Sequence, residues 1–158
     1  MSSYIEFYVK AGDFYAPIYS ETRSGAIYQA FQCQVPYENS RALTVKDLDE
    51  VRDDQQIDRS RLNEAIKDEM EKIEWLKSSN LPVEDRMEEY NSAREMVADY
   101  KEALEQTDRV LSFCNWLEEM MDEVRYMPDT CKRLAVDPDN YVFVGIDCGN
   151  PGFKDLED

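Results

Sequence analysis

The sequence predicts an α+β fold: a small antiparallel three-stranded sheet with a short helix, plus a long antiparallel two-helix hairpin inserted between strands two and three. Three observations carry this. Gly and Pro are both absent from Thr44 to Leu81, where apolar residues recur at steps of three and four. A second pattern of the same kind follows Pro82. Strand-like alternation is confined to the two ends of the chain, near residues 3–19 and 141–148. The expected organisation is an α/β head made of residues 1–43 and 128–150, a helical arm over 44–127, and an acidic tail over 151–158.

In residues 3–10, Ile5, Phe7 and Val9 share one face and Tyr4, Glu6, Tyr8 and Lys10 the other. Ala11-Gly12-Asp13 signals a tight turn. Residues 14–19 read as the returning strand, at an edge because Pro17 lacks an N–H. Ser20 to Ser24 reads as a polar connector. A short helix is expected over 25–34, capped by Ser24, with Ala26, Ile27, Ala30, Phe31 and Cys33 turned inward. Pro36 to Ser40 reads as a loop.

Thr44 opens the first long helix, and Asp47 stands three residues on, where a capping box places its acid. Val45, Leu48, Val51, Leu62, Ala65, Ile66, Ile73 and Leu76 form its apolar stripe, with a solvated waist from Gln55 to Arg61. Asn80 suits a helix stop and Pro82 the first turn of the next helix. The second helix carries Val83, Met87, Tyr90, Val97, Tyr100, Leu104, Leu111, Cys114, Leu117, Met121 and Val124, and its apolar face widens at Val110, Phe113, Trp116 and Met120. At about 1.5 Å per residue these helices reach roughly 50 and 65 Å. Pro128-Asp129 ends the second. Residues 141–148 are the clearest strand, rich in branched and aromatic residues and suited to pair with the N-terminal hairpin.

The chain has 158 residues, 35 of them acidic and 18 basic, with no His and a net charge of −17. Such a surface repels nucleic acid and anionic membrane and favours a basic protein partner. The start, Met-Ser-Ser-Tyr-Ile-Glu, lacks a basic region followed by an apolar run, and no apolar stretch approaches the length of a membrane span, so a cytoplasmic protein is expected. Cys33, Cys114, Cys131 and Cys148 form no Cys-x-x-Cys pair and read as free, mostly buried thiols.

No catalytic residue, cofactor site or metal site is expected. Triads that use His as base and di-iron bundles both need an imidazole that the chain lacks. Gly145 and Gly149 follow a strand, but no Lys-Ser/Thr completes a phosphate loop. The densest carboxylate group is Glu118-Glu119-x-x-Asp122-Glu123. It resembles one half of the helical nucleotide pyrophosphohydrolases, a family whose pattern begins Glu-Glu-x-x-Glu and implies Mg²⁺-dependent hydrolysis. Here Asp122 replaces the third Glu, and no Glu-x-x-Asp follows.

What remains is the acid bias of the helices. Glu84, Asp85, Glu88, Glu89, Glu95 and Asp99 line the second helix, and Asp53 and Asp54 the first. Carboxylates on an elongated helix can imitate phosphate spacing and occupy a basic groove. Tyr4, Tyr8, Tyr15, Tyr19 and Tyr37 are expected to be exposed and to supply aromatic contacts. A small, acidic, His-free domain with a tyrosine-rich sheet and a charged arm resembles the small phage-encoded inhibitors of bacterial defence, such as anti-CRISPR proteins. The resemblance implies a non-enzymatic protein acting in the host cytoplasm on a basic surface of a nuclease or CRISPR effector. The alternative is a structural or assembly protein that forms a homodimer through the helical arm.

Overall fold

The computed structural model describes residues 3–11, 14–35, 40–125 and 142–148, with the backbone alone at some element ends. Seven elements follow in chain order: β1 (Ser3–Ala11), β2 (Phe14–Thr22), α1 (Ala26–Phe31), β3 (Ser40–Ala42), α2 (Val45–Lys77), α3 (Val83–Arg125) and β4 (Val142–Cys148). The turn at Gly12-Asp13, the loop at Pro36 to Asn39, the helix end at Pro128 and the acidic tail lie outside the described residues.

The protein is α+β with an antiparallel sheet and long helices, but the sheet has four strands rather than three, in the order β2-β1-β4-β3. The strand missed by pattern is β3. Three residues are too few to show alternation, yet Ser40, Arg41 and Ala42 pair with Gly145, Val144 and Phe143 of β4. β2 runs to Thr22 and takes in most of the expected connector, because Ser20, Glu21 and Thr22 face Glu6, Ile5 and Tyr4 of β1. Pro17 falls on this edge strand, beside a register shift at Phe7/Tyr8, where its missing N–H costs no ladder bond.

Two compact units divide the described chain: one within Met1–Asp53 and Val110–Asp158, the other Asp54–Arg109. Both long helices contribute to each unit. In the first unit, Ile5 and Phe7 of β1 and Val142 and Val144 of β4 are fully buried. They pack with Ile27 and Phe31 of α1, Leu48 and Val51 of α2, and Val110, Cys114, Leu117 and Met121 of α3. Each such side chain contributes about 1.5–3 kcal/mol relative to exposure. Three rings meet edge to face where α3 and α1 cross the sheet. Phe7 lies 5.2 Å from Phe31 and 5.0 Å from Phe113, and Phe31 lies 5.9 Å from Phe113. Such offset contacts add about 0.5–1.5 kcal/mol each beyond area.

Three carboxylates join elements of this unit. Glu21 Oε2 of β2 accepts hydrogen bonds from the backbone N–H groups of Ile27 (2.8 Å) and Tyr28 (3.1 Å). It does for α1 what Ser24 was expected to do, and Gly25 leaves it room, since a Cβ there would sit 2.1 Å from the Glu21 carboxyl carbon. α1 is also shorter than expected, and Cys33 beyond it is exposed. At α2 the expected capping box forms: Thr44 N–H and Oγ1 donate to Asp47 Oδ2 (2.8 and 2.9 Å), and Asp47 N–H donates to Thr44 Oγ1 (3.3 Å). Arg41 of β3 donates to Asp47 Oδ1 at 2.5 Å, tying the short strand to the helix. Arg52 of α2 donates to Glu118 and Asn115 of α3, and to Asp49.

The second unit holds the helix–helix turn. α2 ends at Lys77, earlier than Asn80, and Ser78 and Ser79 tighten its end by donating to the Trp75 and Leu76 carbonyls. Pro82 precedes α3 and its carbonyl accepts from Arg86 N–H at 3.0 Å. Ile73, Ala93 and Val97 form a small core, flanked by Ile66 and Tyr90. Lys72 meets Glu89 at 3.0 Å and Arg59 meets Asp108 at 3.6 Å, so the two helix segments of this unit run antiparallel. The waist is solvated as expected, with Ile57 half exposed.

Burial pushes the Asp47 carboxyl up, but its hydrogen bonds from Thr44 and Arg41 outweigh that and leave its pKa below the ordinary 3.8. A depressed folded-state pKa stabilises above the unfolded value and loses that stability as pH falls through the folded one. Asp47→Asn is expected to cost about 1 kcal/mol at neutral pH. Denaturant melts should show the gap between variant and parent constant near neutrality and closing below pH 3.8.

Candidate functional site

The inward positions of α3 in the second unit are Tyr90, Ala93, Val97 and Thr107, spaced by three, four and ten residues. A 3.6-residue period puts Glu84, Glu88, Glu95, Asp99 and Glu102 on the opposite side, within one stripe. All five are exposed. At about 1.5 Å per residue the stripe extends roughly 27 Å along the helix. None of the five makes an ion pair or hydrogen bond among the described residues. Like charges four apart destabilise a helix by about 0.2–0.5 kcal/mol per pair, and here no cation offsets them.

The other expected contact residues scatter. Asp85 is exposed but lies about a quarter-turn off the stripe. Glu89 is taken by Lys72. Asp53 and Asp54 are exposed on α2. The described tyrosines do not form an exposed face. Tyr8 is 2% exposed, because its register partner Phe143 stacks on it at 5.8 Å. Tyr4 and Tyr19 are half-buried; the Tyr19 ring lies 5.0 Å from Phe113 and its hydroxyl donates to Glu21 Oε1 at 2.8 Å. The Tyr15 side chain and Tyr37 lie outside the described residues.

In the carboxylate group that resembles a hydrolase half-site, Glu118 accepts from Arg52, Glu119 is exposed and Asp122 is half-buried. Among the described residues no set of three or more Asp, Glu, His or Cys has the geometry to hold a metal ion. Of the described thiols, Cys33 is exposed and Cys114 buried on the α3 core stripe.

Pattern reading missed the apolar surface of the second unit. Val83 (65% exposed), Trp75 (58%) and Met87 (56%) surround the turn, and Leu81 in the turn is also exposed. Val83 and Met87 continue the apolar period of α3, which made them look packed. They stand at the start of α3, beside the end of α2, and stay largely exposed. A cavity of about 300 Å³ opens here, lined by Leu76, Lys77, Val83, Arg86, Met87 and Tyr90.

No family model matches the chain, and neither a curated protein nor a solved structure does.

Burial raises the Cys114 thiol to about 11, so almost none of it is thiolate at neutral pH. Iodoacetamide at pH 8, followed by peptide mass spectrometry, is expected to label Cys33 in the folded protein and Cys114 only on addition of denaturant. Equal rates at the two sites would contradict the packing of α3.

Proposed function

We propose that the chain is a non-enzymatic binding protein whose acidic α3 face engages a basic protein surface. The observation that carries this is the single-sign stripe of Glu84, Glu88, Glu95, Asp99 and Glu102, exposed and without ion-pair partners among the described residues. Beyond the first turn, the like charges of Glu95, Asp99 and Glu102 at steps of four and three cost helix stability and make no ion pair or hydrogen bond among the described residues. The stripe's carboxylates are spaced for a groove of Lys and Arg side chains, and a net charge of −17 speeds encounter with such a groove. The partner class that fits is the nucleic-acid-binding surface of a nuclease, including a CRISPR effector. The chain would block it in the cytoplasm as phage-encoded inhibitors of defence do. No helix among the described residues is long and apolar enough to cross a membrane.

Self-association as an assembly protein is the second reading. It is favoured by exposed Trp75, Val83 and Met87 and opposed by the charge of two like copies.

The test is affinity capture from bacterial lysate with the parent and with a variant combining Glu84→Gln, Glu88→Gln, Glu95→Gln and Asp99→Asn. The parent is expected to retain a basic protein at about 50 mM salt and release it at about 500 mM. The variant is expected to retain it at least about tenfold less. Equal retention by the variant would overturn the proposal, as would a light-scattering mass of twice the chain that salt leaves unchanged.

A further inference from the structure

The cavity beside the helix–helix turn has a composition unlike the rest of this acidic chain. Its apolar walls are Leu76, Val83, Met87 and Tyr90, and its two charged groups, Lys77 and Arg86, are both cations. Lys77 is shared with Glu74 at 2.9 Å on the exposed side of α2. Arg86 makes no ion pair or hydrogen bond with a side chain among the described residues, and its Nε is buried without a hydrogen-bond partner. An N–H withdrawn from solvent and left unbonded costs about 1–3 kcal/mol, which an acceptor on an incoming group would recover. Guanidinium recognises carboxylate through parallel N–H donors. The volume, about 300 Å³, holds one or two large side chains and stands at the small end of ligand pockets, which begin at about 300 Å³.

We infer that this cavity is a docking site for a peptide segment of a partner protein, one that inserts a branched or aromatic side chain between Val83, Met87 and Tyr90 and sets an adjacent carboxylate on Arg86. Charge complementarity selects this occupant. A basic segment would meet the Arg86 cation at the wall, and a purely apolar one would leave Arg86 Nε unbonded. Charge screening makes the local cations count: at about 0.15 M salt the field of the acidic stripe fades within roughly 8 Å, so a short acidic anchor can seat here on a partner that is basic elsewhere. The site is separate from the stripe of Glu84, Glu88, Glu95 and Asp99, and its test leaves those residues in place.

The experiment is amide-shift NMR on the full chain, titrated with three peptides of sequence Ser-Phe-Leu-X-Ser in which X is Asp, Asn or Lys. The Asp peptide is expected to move the amides of Lys77, Arg86 and Tyr90 and to bind at least about fivefold more tightly than the Asn peptide, with the Lys peptide weakest. Arg86→Gln is expected to erase the preference for Asp while the Phe-Leu contact persists. Met87→Glu is expected to weaken all three peptides, and both variants should keep the parent's circular dichroism melt. The inference is overturned if none of the peptides moves those amides, or if Asp and Lys peptides bind alike. It is also overturned if 4-phenylbutyrate binds as tightly as the Asp peptide, which would make the cavity a small-molecule site. A dimer in sedimentation equilibrium that Met87→Glu dissociates would assign it to a second copy instead.

Discussion

The constraint behind this structure is a surplus of carboxylates that the chain's cations cannot neutralise, 35 against 18. A carboxylate withdrawn from water must be paired or hydrogen-bonded, and three of those withdrawn in the first unit serve as joints. Glu21 links β2 to the start of α1, Asp47 links β3 to the start of α2 through Arg41, and Glu118 links α3 to α2 through Arg52. Two arginines are thereby committed to packing. In the second unit Arg59 and Lys72 are committed to Asp108 and Glu89 across the helix pair. Glu84, Glu88, Glu95, Asp99 and Glu102 on the outer face of α3 are left without ion-pair partners among the described residues. That row is a consequence of where the cations went as much as of how many acids there are.

Much of this was legible in the sequence because it is local. Thr44 and Asp47 stand at capping-box spacing, and the box forms as the spacing says. The uninterrupted run after Thr44 folds as one helix through a waist that has almost no apolar residues. Pro17 marks an edge strand. The acidic stripe could be drawn on a helical wheel, since its members are four, seven, four and three residues apart. Features that depend on partners far along the chain could not be read. β3 is three residues long and owes its existence to β4. Tyr8 looked like a surface residue by alternation but is covered by Phe143 of β4. The cap of α1 comes from the preceding strand, where no spacing rule looks for it. The cavity lies between the end of α2, at Leu76 and Lys77, and the start of α3, and helical periodicity carries no information about how the two ends meet.

Under the proposed function, the acidic stripe and the apolar cavity would divide the work of binding in a way general physical chemistry supports. Charge spread along a helix acts over distance, speeds encounter and gives way to salt. A small apolar cavity with one unsatisfied guanidinium acts only at contact and sets how long a partner stays. Neither needs bond chemistry, and neither uses Glu118, whose carboxylate is already held by Arg52.

The claim on which this account rests is that negative charge on α3 drives association. The direct measurement is the association rate of the chain with its captured basic partner as a function of ionic strength, by stopped flow. The account requires that rate to fall by about tenfold or more between roughly 50 and 500 mM salt while the dissociation rate changes by less than about threefold. An association rate that ignores salt, with affinity lost only through faster dissociation, would contradict it.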